Sequence, residues 1–264
     1  MSSRDSHENH GHGHDHHHGH HGHHGHGHSH GDGPASFNAE EFPHGPNAPF
    51  LRGAEAADEL EAMFGGGTGR FENPELRDIA AHRGEVVEEL QRQGLGPGSH
   101  LLDLGAGTGL FLEPLAKIVG STGQVFAAEI SEGFCALLER RRAADETLAA
   151  ASQVVHIPED AITLPDDSVE FVLICDVYHH LTFPTKTLKE CLRVLKPKGK
   201  LILIDFHRDD ACIHTKPAGW VEKHVRADQD AFRAEVTDAG FALLSEPDLG
   251  MKENYVMIFE AIDN

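Results

Sequence analysis

The chain has 264 residues, a formal net charge of −21, 23 histidines and four cysteines. That length accommodates one α/β domain with a tail, and the acidic balance lacks the Lys and Arg clusters that hold phosphate backbones, which excludes nucleic acid as a partner. No apolar run approaches the roughly 18 residues of a membrane span, and the N-terminus lacks the apolar core of a secretory signal.

Residues 1–33 carry 14 of the 23 histidines, interleaved with Gly, Asp and Asn. So few apolar side chains cannot offset the entropy of ordering, so a disordered tail is expected. Closely spaced imidazoles such as His12, His14, His16, His17, His18, His20 and His21 suit nickel, copper or zinc. A low-complexity tail without a metal role is the plainer reading. Gly and Pro between Gly33 and Asn47 mark a linker. Ala54, Ala57, Leu60 and Phe64 then recur at helical spacing until Gly65-Gly66-Gly67 stops them. A second helix is predicted from Asn73, with Pro74 at its first position, to about Gln93. Cys135, Cys175, Cys191 and Cys212 lie far apart, which suits reduced thiols and a cytoplasmic location.

Residues 101–109 read Leu-Leu-Asp-Leu-Gly-Ala-Gly-Thr-Gly. Leu101, Leu102 and Leu104 give strand character, and Gly105, Gly107 and Gly109 remove side chains that would keep a ligand off the backbone. A helix is expected over Leu110 to Val119. A dinucleotide fingerprint requires its third glycine at position 110, where Leu110 stands. The spacing acid-x-Gly-x-Gly-x-Gly instead resembles the first motif of class I S-adenosylmethionine (SAM) methyltransferases. The resemblance extends over about Arg70 to Asp263. Cys175 to Leu181, Asp205-Phe206 and Lys252 to Tyr255 are most similar to the small-molecule type related to ubiquinone and menaquinone biosynthesis methyltransferases.

That resemblance implies a Rossmann-like α/β fold: a doubly wound, seven-stranded, mostly parallel sheet with an antiparallel last strand, N-terminal lid helices and the His-rich tail. The chain then divides into the tail (1–33), a linker and lid helix (34–69) and the methyltransferase domain (70–264). Carried onto this sequence, Asp103 faces the SAM ammonium, and Gly105, Ala106, Gly107 and Gly109 bed its amino acid portion. Glu129, at the end of a strand over Gln124 to Glu129, accepts from the ribose hydroxyls, and Ile130 packs on adenine. Asp160 and Ala161 reach the adenine edge, although Pro158-Glu159 stands where the family has glycine. Cys175 ends the fourth strand, Val169 to Cys175, near the methyl. Asp176, Tyr178 and His179 follow it as candidate catalytic residues, His179 as a base and Tyr178 orienting the acceptor. Arg70, Phe71 and Arg83 are possible neighbours on the lid.

Asp205, His207, Cys212 and His214 match no closed zinc motif. A fifth strand over Leu201 to Phe206, helices over about Gly219 to His224 and Asp228 to Ala239, and strands over Gly240 to Leu244 and Glu253 to Phe259 complete the pattern. The function implied is methyl transfer from SAM to a small-molecule acceptor, neutral or cationic by the chain's charge. The alternative is a metal-handling protein in which the tail is functional and the methyltransferase fold is a sensor or platform. The complete set of cofactor acids favours the enzyme, because a mere platform need not keep them.

Overall fold

The computed structural model describes residues 47–262. A 3-10 turn, Ala54–Ala56, runs into α1 (Ala57–Phe64), followed by α2 (Asp78–Ala81) and α3 (Arg83–Arg92). Then come β1 (His100–Leu104), α4 (Leu112–Val119), β2 (Gln124–Glu129), α5 (Glu132–Ala143), α6 (Glu146–Ala151), β3 (Ser152–His156) and β4 (Val169–Cys175). The chain continues through a 3-10 turn at Tyr178–His180, α7 (Pro184–Val194), β5 (Leu195–Phe206), α8 (Trp220–His224), α9 (Gln229–Asp238), β6 (Phe241–Ser245) and β7 (Asn254–Ala261).

The seven strands form one sheet in the order β3-β2-β1-β4-β5-β7-β6. The first five run parallel, while β7 lies antiparallel between β5 and β6. This is the doubly wound sheet that the sequence predicts. Strand order reverses between β1 and β4, and a sheet of this kind opens a crevice at the carboxyl ends of its strands at that point. Alternate residues of each strand feed opposite faces. Leu102, Leu104, Val172, Ile174, Leu201 and Leu203 pack with Leu188, Phe232 and Val236. Leu101, Val125, Leu173, Ile202 and Ile204 pack on the other side with Leu115, Val119 and Leu90. Both faces are covered, so the strands read as apolar runs.

The predicted helix from Asn73 is corrected. Asn73 Oδ1 accepts from the amide of Glu75 at 2.9 Å, which makes a local turn in place of a helix cap. Arg77 is extended, at φ −153° and ψ 119°, so α2 begins only at Asp78, and His82 separates it from α3. Local propensity gives way to tertiary ties here. Asp78 Oδ2 accepts from the amides of Lys252 and Glu253 at 2.6 and 2.9 Å, and the Arg77 side chain turns into the crevice. Helices α5 and α6 are additions to the pattern read from sequence. The Ser131 hydroxyl caps the first by accepting from Phe134, and Asp145 caps the second by accepting from Thr147 and Leu148.

Candidate active site

At the carboxyl end of β1 the chain turns through Gly105, Gly107 and Gly109, at φ +77°, +55° and +86°. All three lie in the left-handed region that β-carbons disfavour. The amides of Gly105 and Ala106 both donate to the carbonyl of Ala128, at 2.9 and 3.1 Å, which folds the turn back over β2. A β-carbon on Gly105 would stand 2.6 Å from Val177, and one on Gly109 would stand 2.8 Å from Leu138. Gly107 differs, because its β-carbon would point toward the Phe71 ring with ordinary clearance of 3.7 Å. Its bare backbone faces a cavity of about 460 Å³, within the range of roughly 300–1,000 Å³ usual for small-molecule sites.

Two buried acids face that cavity from neighbouring strand ends. Glu129 accepts from the amides of Gly107 (2.9 Å), Ile130 (2.8 Å) and Ser131 (3.0 Å). Three of its approximately four lone-pair positions are thereby filled, which fixes the carboxylate and leaves one acceptor direction. Asp103 accepts no hydrogen bond from the described residues. Burial, with the Glu129 charge beside it, pushes its carboxyl up to about 7. Burial also raises Glu129, with the three amides opposing. A cationic group lying between two such acids would favour both carboxylates. That donor set fits SAM, which carries an ammonium for Asp103 and a ribose diol for Glu129. Ala106, Ile130 and Ala161 line the same cavity, as the family resemblance implies, and Cys175 joins them. Burial lifts the Cys175 thiol well above its ordinary range, so the sulfur stays protonated.

Asp160 and Tyr178 are not brought to the cavity. Asp160 is exposed and faces Lys186 at 3.3 Å, while its neighbour Glu159 lines the wall and accepts from Asn47 at 3.4 Å. The rigid Pro158 that replaces the family glycine precedes this exchange. Tyr178 is fully buried, packs edge-on against Phe232 at 4.8 Å and donates its hydroxyl to Glu235 at 2.7 Å. Asp176 explains that orientation: its φ of +52° swings the chain after β4, so Val177 and His179 face the crevice and Tyr178 the core.

Asp176 itself is held on both oxygens. Arg77 donates to Oδ2 from Nε (3.0 Å) and Nη2 (2.7 Å), and Asn254 donates to Oδ1 at 2.6 Å. This clamp joins the segment before α2, the end of β4 and the start of β7 at the cavity wall. His179 is 1% exposed, and its Nδ1 lies 2.7 Å from Asp205 Oδ1. Asp205 is fully buried and also accepts from the amides of His179 (3.0 Å) and Phe206 (2.8 Å). It is therefore a hydrogen-bond acceptor, and it sets the imidazole tautomer with the proton on Nδ1.

The outer wall comes from the N-terminal elements. Phe50, Phe64, Phe71 and Phe134 form a cluster with ring centroids 4.6–6.2 Å apart, and Arg70 lies 5.1 Å over the Phe64 ring. Arg70 and Phe71 line the cavity as predicted, whereas Arg83 does not. Sequence reasoning passed over Asn47, Arg77, Lys216, Trp220 and His224, all of which line it. Only the pairing of His179 with His180 carried a local signal. His207, Cys212 and His214 form no ligand cluster with Asp205. The tail histidines proposed as metal ligands lie outside the described residues.

Residues 102–203 match the family model described as a methyltransferase domain. A ubiquinone/menaquinone biosynthesis C-methyltransferase of Hydrogenovibrio crunogenus is 29% identical over 155 residues, 58% of this chain and 61% of that protein. Its counterpart in Ectopseudomonas mendocina is 32% identical over 119 residues, 45% of this chain and 46% of that protein. The chain thus spans between about half and three-fifths of the curated relatives it matches. Among solved structures, a SAM-dependent methyltransferase from Aquifex aeolicus has a TM-score of 0.63 at 24% identity, covering 78% of this chain and 98% of that one. The [4+2]-cyclase SpnF follows at 0.58 and 17% identity, covering 70% and 82%. These likenesses establish the fold, and a cyclase among them shows that the fold alone does not choose the reaction. No helix of the described residues is long and apolar enough to cross a membrane. With the glycine turn and its two acids in place, the chain is similar to class I SAM-dependent methyltransferases and, over part of its length, to the ubiquinone/menaquinone C-methyltransferases.

Proposed function

We propose that the chain transfers the methyl group of SAM to a small-molecule acceptor. The observation that carries this reading is the convergence of Asp103, the bare Gly107 backbone and Glu129 on one wall of a cavity whose far side is polar and aromatic. The curated relatives are named for methylation in ubiquinone and menaquinone biosynthesis, which supports a small-molecule acceptor.

SAM supplies an electrophilic methyl when bound. Everything else falls to the protein. Asp103 attracts the ammonium, Glu129 accepts from the ribose diol, and Ile130 offers an apolar face to the adenine. The four phenylalanines of the outer wall exclude water, which strengthens each polar contact within. On the acceptor side, Asp205 holds His179 in one orientation, and Arg70 and Lys216 bring positive charge. Those cations favour an acceptor bearing oxygen with negative character. That departs from the neutral or cationic acceptor expected from net charge, because the lining of a pocket and the charge of a whole chain are different quantities.

Calorimetry of the full chain with SAM, in the presence of a chelator that removes metal from the histidines, tests the reading. Glu129→Ala should lose about 1.5–3 kcal/mol of SAM affinity, the value of a hydrogen bond to a charged group. Absence of SAM binding by the folded wild-type chain would overturn the proposal.

A further inference from the structure

On the acceptor side of the cavity, His179 and His180 in the turn after β4 meet His224 at the end of α8. One nitrogen from each can be chosen so that all three lie within 4.8 Å of one another. The ring centroids are 4.2 Å (His179–His180), 5.0 Å (His179–His224) and 4.9 Å (His180–His224) apart. Two buried ring nitrogens, His179 Nε2 and His180 Nδ1, have no hydrogen-bond partner. Orphaned polar atoms beside a binding cavity call for an explanation.

Packing alone does not supply one. Trp220 stacks on His224 at 4.4 Å and Phe206 meets His179 edge-on at 5.7 Å, but an aromatic stack gains nothing from a nitrogen lone pair left unpaired. The tautomer is informative. Asp205, by accepting from His179 Nδ1, leaves the Nε2 lone pair free and stiffens the ring, the arrangement that backs metal-bound histidines elsewhere.

We propose that His179, His180 and His224 form a divalent transition-metal site, with Asp205 as the orienting partner of His179 and a fourth coordination position open to the cavity. Zinc fits the donor set: three neutral imidazoles with one position left for an exchangeable ligand is a catalytic-type zinc arrangement. Bonds of about 2.0–2.1 Å in tetrahedral geometry place ligand nitrogens about 3.4 Å apart, so the rings draw together slightly on binding. The fourth ligand is an oxygen of the acceptor, a hydroxyl, phenol or carboxylate, which the Lewis acid would render more acidic. In this arrangement His179 is a metal ligand and not the proton acceptor that the sequence predicts. The site also differs from the tail histidines, which belong to residues 1–33. The acceptor ligand rests on the methyltransferase reading; the metal does not.

The test is anomalous diffraction at the zinc edge from crystals of the full chain grown with Zn²⁺, which locates ions whatever the tail binds. A peak within bonding distance of all three histidines is expected. A water in that place, or no density, would overturn the site. Co²⁺ absorption gives a second measurement in solution. His224→Phe keeps a ring on Trp220 and should lose one equivalent of tetrahedral Co²⁺ bands relative to wild type, with an unchanged circular dichroism spectrum. Equal Co²⁺ spectra for the two folded proteins would also refute the ligand set. SAM calorimetry with chelator reports separately on the cofactor. Zinc at the histidines without SAM binding would sustain the metal site and sink the methyltransferase reading, and an absent peak with intact SAM binding would do the reverse.

Discussion

The two ends of the cavity are built on different plans. The cofactor end is made almost wholly by one β-turn-α-β unit: Asp103, the glycines and Glu129 sit within 27 consecutive residues, 103–129, and their geometry follows from strand ends and backbone amides. The acceptor end draws Asn47, Arg70 and Arg77, His179, and Lys216 and His224 from four separate stretches of the chain. A local unit tolerates change elsewhere, whereas a wall gathered from distant segments depends on the ties between them. The SAM end should therefore be robust to distant substitution, and the acceptor end should fail when its ties are cut.

The sharpest break is Arg77→Leu. It leaves the Asp176 carboxylate, 6% exposed, without its charged partner, and should cost about 3–5 kcal/mol of stability in a denaturant titration. A loss below about 1 kcal/mol would show that Asn254 alone sustains Asp176. Gly105→Val strikes the cofactor end. A branched side chain at φ +77° that collides with Val177 should cost about 2–5 kcal/mol and abolish SAM binding, and near-normal SAM affinity would dissolve the link between turn and ligand.

A third, smaller effect is titration of Asp103. Its carboxyl is held up to about 7 in the free protein, and a bound ammonium favours the charged form and lowers it. Binding therefore releases protons below about pH 7, and SAM affinity should fall about fivefold from pH 7 to pH 6. Calorimetry in buffers of differing ionisation enthalpy would detect the released proton; a flat profile would remove Asp103 from the ammonium. Asp160→Ala separates the two ends most finely. With its side chain exposed beside Lys186, it should change SAM affinity by less than about twofold, since such surface pairs contribute little. A larger loss would restore the adenine contact that the family resemblance implies.

What the sequence displayed was the part that is close in sequence. Asp103 to Gly109 is one contiguous motif, and Glu129 follows at the end of a strand whose apolar run is plain. The antiparallel end of the sheet was legible for the same reason, since Phe241 to Ser245 and Asn254 to Ala261 are short, strongly apolar and bounded by turns. Tyr178 falls in the core because a left-handed residue, Asp176, resets the alternation after β4, and no rule of periodicity anticipates a non-glycine at φ +52°. Asp160 faces Lys186 while Glu159 takes the wall, in a loop that carries Pro158-Glu159 where the family has glycine. The helix starts at Asp78 and not at Asn73 because local capping is outvoted: Arg77 reaches across 99 residues to Asp176, and Asp78 across 174 to Lys252. His224 is beyond any local reading, since only the fold carries α8 to the turn after β4.

Those two neighbouring ties have a mechanical consequence. Arg77 and Asp78 pin the C-terminal side of the outer wall by charge, at Asp176 and at the amides of Lys252 and Glu253. The N-terminal side, around Phe50 and Phe64, adds to its ring contacts the amide of Gly133 donating to Arg52 and the ion pairs of Arg140 and Arg141 with Asp58, Glu61 and Glu72. One side of the wall is thus fastened by a buried charge pair and the other largely by ion pairs near the surface, which salt screens, so raised ionic strength should loosen the second before the first.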